Sequence, residues 1–130
     1  MIRIQVSMKL FTVEEANALL PELRARLEAL RRMRRLITRL ADELKLAEAR
    51  ATEGGGTIFG GRYLEALHQA TVAANAISEM GVQIKDLERG LFDFPHLREG
   101  RVVLLCWLQN EDQIEWWHEV EAGFAGRQPL

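Results

Sequence analysis

The sequence predicts an α+β domain: a long antiparallel helical hairpin, a small antiparallel β-sheet and a short C-terminal helix. Three observations carry this prediction. Up to residue 80, apolar side chains recur at spacings of three and four, the period of an amphipathic helix. The stretch ATEGGGTIFGG, residues 51–61, interrupts that pattern with five glycines in eleven residues, which no single helix tolerates. After Gly81 the period drops to two, and Val102 to Leu108 is apolar without a break, as in a strand covered on both faces.

Residues 1–8 precede the first helix signal and read as a loosely ordered arm. Thr12-Val-Glu-Glu15 is a capping box, in which the Thr12 hydroxyl accepts from the Glu15 amide and the Glu15 carboxylate reaches back to the Thr12 amide, so a helix starts there. Pro21 must kink this helix or begin a new one. Beyond it Leu23, Leu27, Leu30, Met33, Ile37, Leu40, Leu44 and Ala47 form a coiled-coil-like seam with one stammer near Met33. A helix running to about Arg50 is on the order of 40 Å long, so part of its seam must meet a second helix or a second subunit. After the glycine-rich turn, Tyr63, Leu67, Ala70, Ala74, Ile77 and Met80 mark the inner face of a second helix, completing a hairpin over residues 9–80. Gly81 is placed to end it. Residues 81–130 then read as a β-meander: a strand from Val82 to Lys85, a turn at Glu88 to Gly90, a strand from Leu91 to Phe94, a loop from Pro95 to Gly100, and the strand Arg101 to Leu108. Asn110 to Gln113 looks like a second capping box, opening a helix to about Glu121 that Gly123 ends. In the tail, Phe124 and Arg127 are expected to fold back on the sheet, with Phe124 buried and Arg127 paired to Asp93 or Asp86.

At 130 residues, with 48% hydrophobic and 28% charged, the chain is sized and composed as one soluble domain, small enough to gain from pairing with a second copy. A lone Cys106, no apolar leader and no apolar run of spanning length point to a cytoplasmic protein that makes no use of a membrane. The net charge of -2 is uneven: seven arginines against Glu28 make Arg24 to Arg39 +6, leaving -8 elsewhere. Such a stripe suits an acidic partner or a nucleic acid. No aromatic or glycine-rich platform accompanies it, and a solvated helix face is the simpler reading.

The segments KLFTVEEANALLPEL, VQIKDLERGLFDFP, VVLLCW and WWHEVEAGFAGR, in this order and spacing, closely resemble the bacterial family catalogued as domain of unknown function 2203, over essentially the whole chain after Met8. The resemblance implies a small cytoplasmic protein with a helical first half, and it implies no reaction. Its elements fall on Lys85, Asp86, Asp93, Cys106, Trp107, Trp117, His118, Glu119 and Arg127.

The same region stands out by composition. Ile84 to Arg127 holds all three tryptophans, the only cysteine, two of three histidines and three of four aspartates, residue types that mark sites when they gather. The candidate ligand or interaction residues are Lys85, Asp86, Asp93, Trp107, Trp117, His118, Glu119 and Arg127. His118, placed on the predicted helix with Ile114, Trp117 and Glu121, is the leading titratable group. Asp93, between Phe92 and Phe94, should point away from them and toward His118 or Arg127. Cys106 with His118 and Asp93 has the residue types of a nucleophile, base and orienting acid, but a thiol inside an apolar strand reads as an inert core residue. The tryptophans suit core or interface anchors. Glu65/His68 and Glu115/His118 share the Glu-x-x-His spacing of di-iron bundles, yet such a site needs two more long helices than this chain has. His96 falls in the predicted loop and reads as solvent-exposed. No catalytic residue and no cofactor is assigned. The leading expectation is a non-enzymatic interaction protein acting as a homodimer, and the alternatives are a metal or small-ligand site at His118, Asp93 and Glu119, or nucleic-acid contact through the arginine stripe.

Overall fold

A computed structural model describes residues 8–50 and 57–130. Most of the expected N-terminal arm and the first six residues of the expected glycine-rich turn lie outside them. The described chain is α+β: helix α1 (Val13–Arg50), helix α2 (Thr57–Glu79) and five strands, β1 (Gln83–Asp86), β2 (Leu91–Arg98), β3 (Arg101–Leu108), β4 (Trp116–His118) and β5 (Gln128–Pro129). The strands form one antiparallel meander in the order β1-β2-β3-β4-β5. Two compact units divide these elements. One comprises the residues up to Arg24 and from Ile77 onward, the other residues 25–76.

In the first unit the capping box is formed as expected, with Thr12 N to Glu15 Oε1 at 3.1 Å and Glu15 N to Thr12 Oγ1 at 3.0 Å. The Thr12 bonds pull the Glu15 carboxyl below its ordinary pKa. Pro21 starts no new helix. It sits within the continuous α1, where it has no amide to give to the Asn17 carbonyl one turn earlier. Phe11, Ala16, Leu20 and Leu23 are fully buried, and this opening of α1 is tied to one face of the sheet. Phe11 packs edge-on against Phe94, the Arg24 guanidinium lies 5.1 Å from the Trp107 ring centre, and Asn17 Oδ1 accepts from the Ile114 amide at 2.7 Å.

In the second unit the rest of α1 meets α2 as an antiparallel hairpin. Leu27, Leu30, Leu40 and Ala66 are buried, while Met33 and Leu36, with Leu40, line a groove of about 420 Å³ against Gly61, Arg62, Glu65, Ala66 and Gln69. The expected turn over residues 51–61 is corrected at its end, because Thr57 to Gly61 already belong to α2. A helix of 23 residues absorbs the roughly 1 kcal/mol that each glycine costs in its first turns.

The sheet contains two corrections. Residues 95–98 are not a loop: β2 runs on to Arg98, and a two-residue turn at Glu99 (φ 51) and Gly100 (φ 79) leads into β3. Pro95 is tolerated because its carbonyl, and so its amide position, faces away from β3. There the Phe11 amide donates to Pro95 O at 2.7 Å, and His96 Nδ1 donates to Phe11 O at 2.6 Å, supplying the bond that proline cannot make. His96 is therefore half-buried rather than solvent-exposed. The second correction is the helix expected from Asn110 to Glu121. Those residues instead make the β3–β4 turn and strand β4, and the helical geometry near the C-terminus is a 3-10 turn at Phe124–Gly126. The reason is tertiary. Glu111 is held back toward β3, its Oε1 accepting from the Leu108 amide at 2.7 Å and its carbonyl from Trp107 Nε1 at 2.9 Å, so Trp116 to His118 pair with β3. β3 itself is central, and Val103 to Trp107 are buried on both faces as expected.

The tail folds back as expected, but with different partners. β5 pairs with β4, and the Leu130 amide donates to Glu115 O at 2.9 Å. Phe124 is only half-buried, flanked by the Arg89 and Arg127 guanidinium groups at 4.7 and 4.8 Å. Arg127 reaches neither Asp93 nor Asp86. Its Nη2 donates to Glu111 Oε1 at 2.6 Å and to Cys106 O at 3.2 Å, because the β4–β5 pairing brings it to the β3–β4 turn.

Candidate functional site

Strand register decides which candidates meet. Asp93 pairs with Cys106, Cys106 with Trp116 and Leu104 with His118, so Asp93, Cys106 and His118 stand on three adjacent strands and share one face. All three are buried, at 2%, 0% and 2% exposure, and one potential donor atom of each lies within 4.8 Å of the others. They are the only group of three or more such residues of this kind among those described.

The proton positions follow from the partners. His118 Nδ1 is 2.7 Å from the Glu119 carbonyl, which can only accept, so Nδ1 carries a hydrogen. Nε2 lies 3.1 Å from Asp93 Oδ2, and a single proton is shared along that line whichever atom holds it. Asp93 Oδ1 is buried without any hydrogen-bond partner, an expensive arrangement for a carboxylate. Lys85 Nζ, on a half-exposed side chain, stands 4.0 Å from Asp93 Oδ2. The Cys106 thiol is pushed up to about 12, first by burial and then by the Asp93 charge, with Arg127 opposing. A thiol nucleophile is thereby disfavoured twice: it stays protonated at neutral pH, and both imidazole nitrogens that might take its proton are already engaged.

The other candidates disperse. Asp86 Oδ1 accepts from the Arg89 amide at 3.0 Å and caps the β1–β2 turn. Trp107 and Trp117 belong to the opposite face, under Arg24 and Arg98 respectively. The Glu119 carboxylate is also turned away, paired with Arg101, so only its carbonyl serves the cluster. Arg127 approaches through Cys106 O and stacks over Trp116 at 5.2 Å. Glu115 precedes a strand rather than lying on a helix, so it cannot share a helical face with His118. Glu65 is exposed and bonded to Gln69, and His68 is exposed. In the arginine stripe Arg24 donates to Glu111 O at 2.7 Å, Arg35 pairs with Glu28, and Arg26, Arg31 and Arg34 also make contacts. Sequence reasoning set Cys106 aside as core. It is core, but cross-strand register also makes it the third member of the cluster, and the pairing of β2 with β3 was the signal for that.

Among known proteins, a family model described as an uncharacterised conserved protein (DUF2203) matches residues 9–130. No curated protein and no solved structure matches the chain.

Proposed function

The chain belongs to the DUF2203 family of uncharacterised conserved proteins, a membership that brings no reaction with it, and on the chain's own residues we propose a small cytoplasmic, non-enzymatic interaction protein that acts as a homodimer. One observation carries this reading: the unit of residues 25–76 has too little core for its length. Its buried hydrophobic side chains, among the described residues, are Leu27, Leu30, Leu40 and Ala66. Met33, Leu36, Ile37 and Leu44 on α1 are only half-buried, and Leu46, Leu64, Leu67 and Val72 are exposed. Two helices cannot enclose a core, whereas two hairpins packed as a four-helix bundle can. From Ala66 to Ser78 the outer face of α2 carries no Asp, Glu, Lys or Arg, so a second copy meets it without like-charge repulsion. The seam spacing supplies coiled-coil-like packing for such a bundle. A cytoplasmic location is supported by the single buried thiol, and no described helix is long and apolar enough to cross a membrane.

Sedimentation equilibrium or light scattering at micromolar concentration tests the proposal. The expected mass is that of two chains, and Leu64→Glu with Val72→Glu should shift it toward one. A wild-type mass of one chain sinks the reading. The arginine stripe remains the surface for an acidic partner or nucleic acid, and the engagement of Arg24 with Trp107 and Glu111 O reduces what it can offer. Retention of RNA or duplex DNA at low salt that falls steeply with added salt would support that contact.

A further inference from the structure

We propose that Asp93, Cys106 and His118 form a closed, structural site for one zinc-class divalent metal ion, which ties strands β2, β3 and β4 together. The proposal stands independently of the dimer.

Geometry is the first argument. Tetrahedral zinc, with bonds of about 2.0 to 2.3 Å, places its donor atoms roughly 3.3 to 3.8 Å apart. The three donors here lie within 4.8 Å of one another, and the imidazole and carboxylate are already 3.1 Å apart, so small side-chain rotations suffice. The histidine is held as a ligand is held: Nδ1–H donates to the Glu119 carbonyl, which fixes the ring and aims Nε2 at the cluster. The carboxylate has a donor to spare. Asp93 Oδ1 is buried without a hydrogen-bond partner, and a second, longer contact from it to an ion held by the other three donors relieves that cost in a distorted three-ligand site.

Charge balance is the second argument. Without metal the cluster holds two exchangeable protons, one on the thiol and one shared between His118 and Asp93, and its net charge is zero in either arrangement of the shared proton. A dication that displaces both protons to solvent leaves thiolate, carboxylate and neutral imidazole around M²⁺, again with net charge zero. The exchange therefore buries no uncompensated charge. Lys85, 44% exposed at its side chain, can withdraw its ammonium into water when the ion replaces it beside Asp93. The mixed sulfur, nitrogen and oxygen set suits zinc better than the hard cations calcium and magnesium, which prefer oxygen alone. With all three residues at 2% exposure or less, no ligand position opens to solvent, which fits a structural ion rather than a catalytic one.

The test uses the full chain, stripped with chelator and titrated with Co²⁺ as a spectroscopic probe and then with Zn²⁺. One Co²⁺ per chain should bind with a thiolate-to-cobalt charge-transfer band and tetrahedral d–d bands, and Zn²⁺ should displace it. Zn²⁺ should also raise the melting temperature by several degrees. Cys106→Ser should abolish the charge-transfer band, and Asp93→Asn should weaken Zn²⁺ affinity by at least about 100-fold, more than loss of an outer hydrogen bond does. Because either variant could perturb folding, both are checked by circular dichroism, and the wild-type titration decides alone. No stoichiometric Co²⁺ uptake by the wild type overturns the proposal. Uptake without a charge-transfer band, or with a band unchanged in Cys106→Ser, places the ion elsewhere and overturns it equally.

Discussion

Arg127→Ala is the most informative single change, because this side chain fastens the last turn of the chain to the middle of the sheet. Its guanidinium donates to Glu111 Oε1 at 2.6 Å with side-chain exposures of 13% and 20%, donates to Cys106 O at 3.2 Å, and stacks over Trp116 and Phe124. A hydrogen bond to a charged group contributes about 1.5 to 3 kcal/mol. Each cation–π contact adds roughly 0.5 to 1 kcal/mol at this partial exposure. Against these stands up to about 2 kcal/mol of side-chain entropy regained on truncation. Two such bonds and two ring contacts, less that entropy, leave an expected loss of at least about 2 kcal/mol, read from urea unfolding followed by tryptophan fluorescence. Arg127→Lys should fall in between, because one ammonium nitrogen can still donate to Glu111 and Cys106 O, as Nη2 does, but it loses the planar stacking over Trp116 and Phe124. Glu111→Gln keeps an acceptor for the Leu108 amide and removes the charge, so a double-mutant cycle isolates the ion pair, with an expected coupling of about 1 to 2 kcal/mol. A loss below roughly 0.5 kcal/mol for Arg127→Ala, with no coupling to Glu111, would show that the arginine is solvated and that this account of the tail is wrong.

Three further outcomes are expected. At neutral pH without added metal, His118→Phe should cost about 3 kcal/mol, since it leaves Asp93 buried with only Lys85 at 4.0 Å, whereas Asp93→Asn, which still bonds Nε2, should cost about 1 kcal/mol; equal losses would refute the shared-proton pair. His96→Ala should cost about 1 kcal/mol in the wild type and clearly less in a Pro95→Ala background, where a backbone amide can take over the Phe11 carbonyl; denaturant melts giving the same loss in both backgrounds would break that argument. Gly90→Ala should destabilise by roughly 2 to 3 kcal/mol and Gly100→Ala by roughly 1 kcal/mol. Both glycines have positive φ, but only at Gly90 does a new Cβ meet Gln109 at 2.8 Å, so thermal melts ranking the two the other way would contradict the packing there.

Local signals were legible in the sequence, and signals that depend on distant partners were not. The Thr12/Glu15 box, the seam through Leu23, Leu27, Leu30 and Leu40, the stop at Gly81 and the two-sided strand β3 are each written in a few neighbouring residues. Asn110 to Gln113 carried an equally good local signal for a helix and failed, because Glu111, which would begin that helix, is engaged by Leu108 and Arg127 instead. Strand β4, at three residues, is too short to display an alternation. Pro95 argued for a loop only because the donor that compensates for it comes from the next residue's ring, 85 positions from the carbonyl it serves. For the site, Asp93 and His118 could be named from their residue types. Cys106 was grouped with them by residue type and set aside as core, and only the register of β2 on β3 shows that the three meet; Glu119 contributes its carbonyl, while its carboxylate pairs with Arg101.

The two outermost strands have a consequence for how copies of this chain can meet. β1 is four residues long and its pairing with β2 slips between Ile84 and Asp86, while β5 is two residues long and ends in Pro129, which has no amide to offer. Among the described residues, neither rim presents a straight row of free backbone donors and acceptors onto which another chain could be zipped. A newly made chain with a strand as apolar as Val102 to Leu108 would otherwise be at risk of templated fibre growth. Short, irregular rims of this kind leave side-chain packing as the better-suited route for a second copy, a kind of contact that has a definite stopping point.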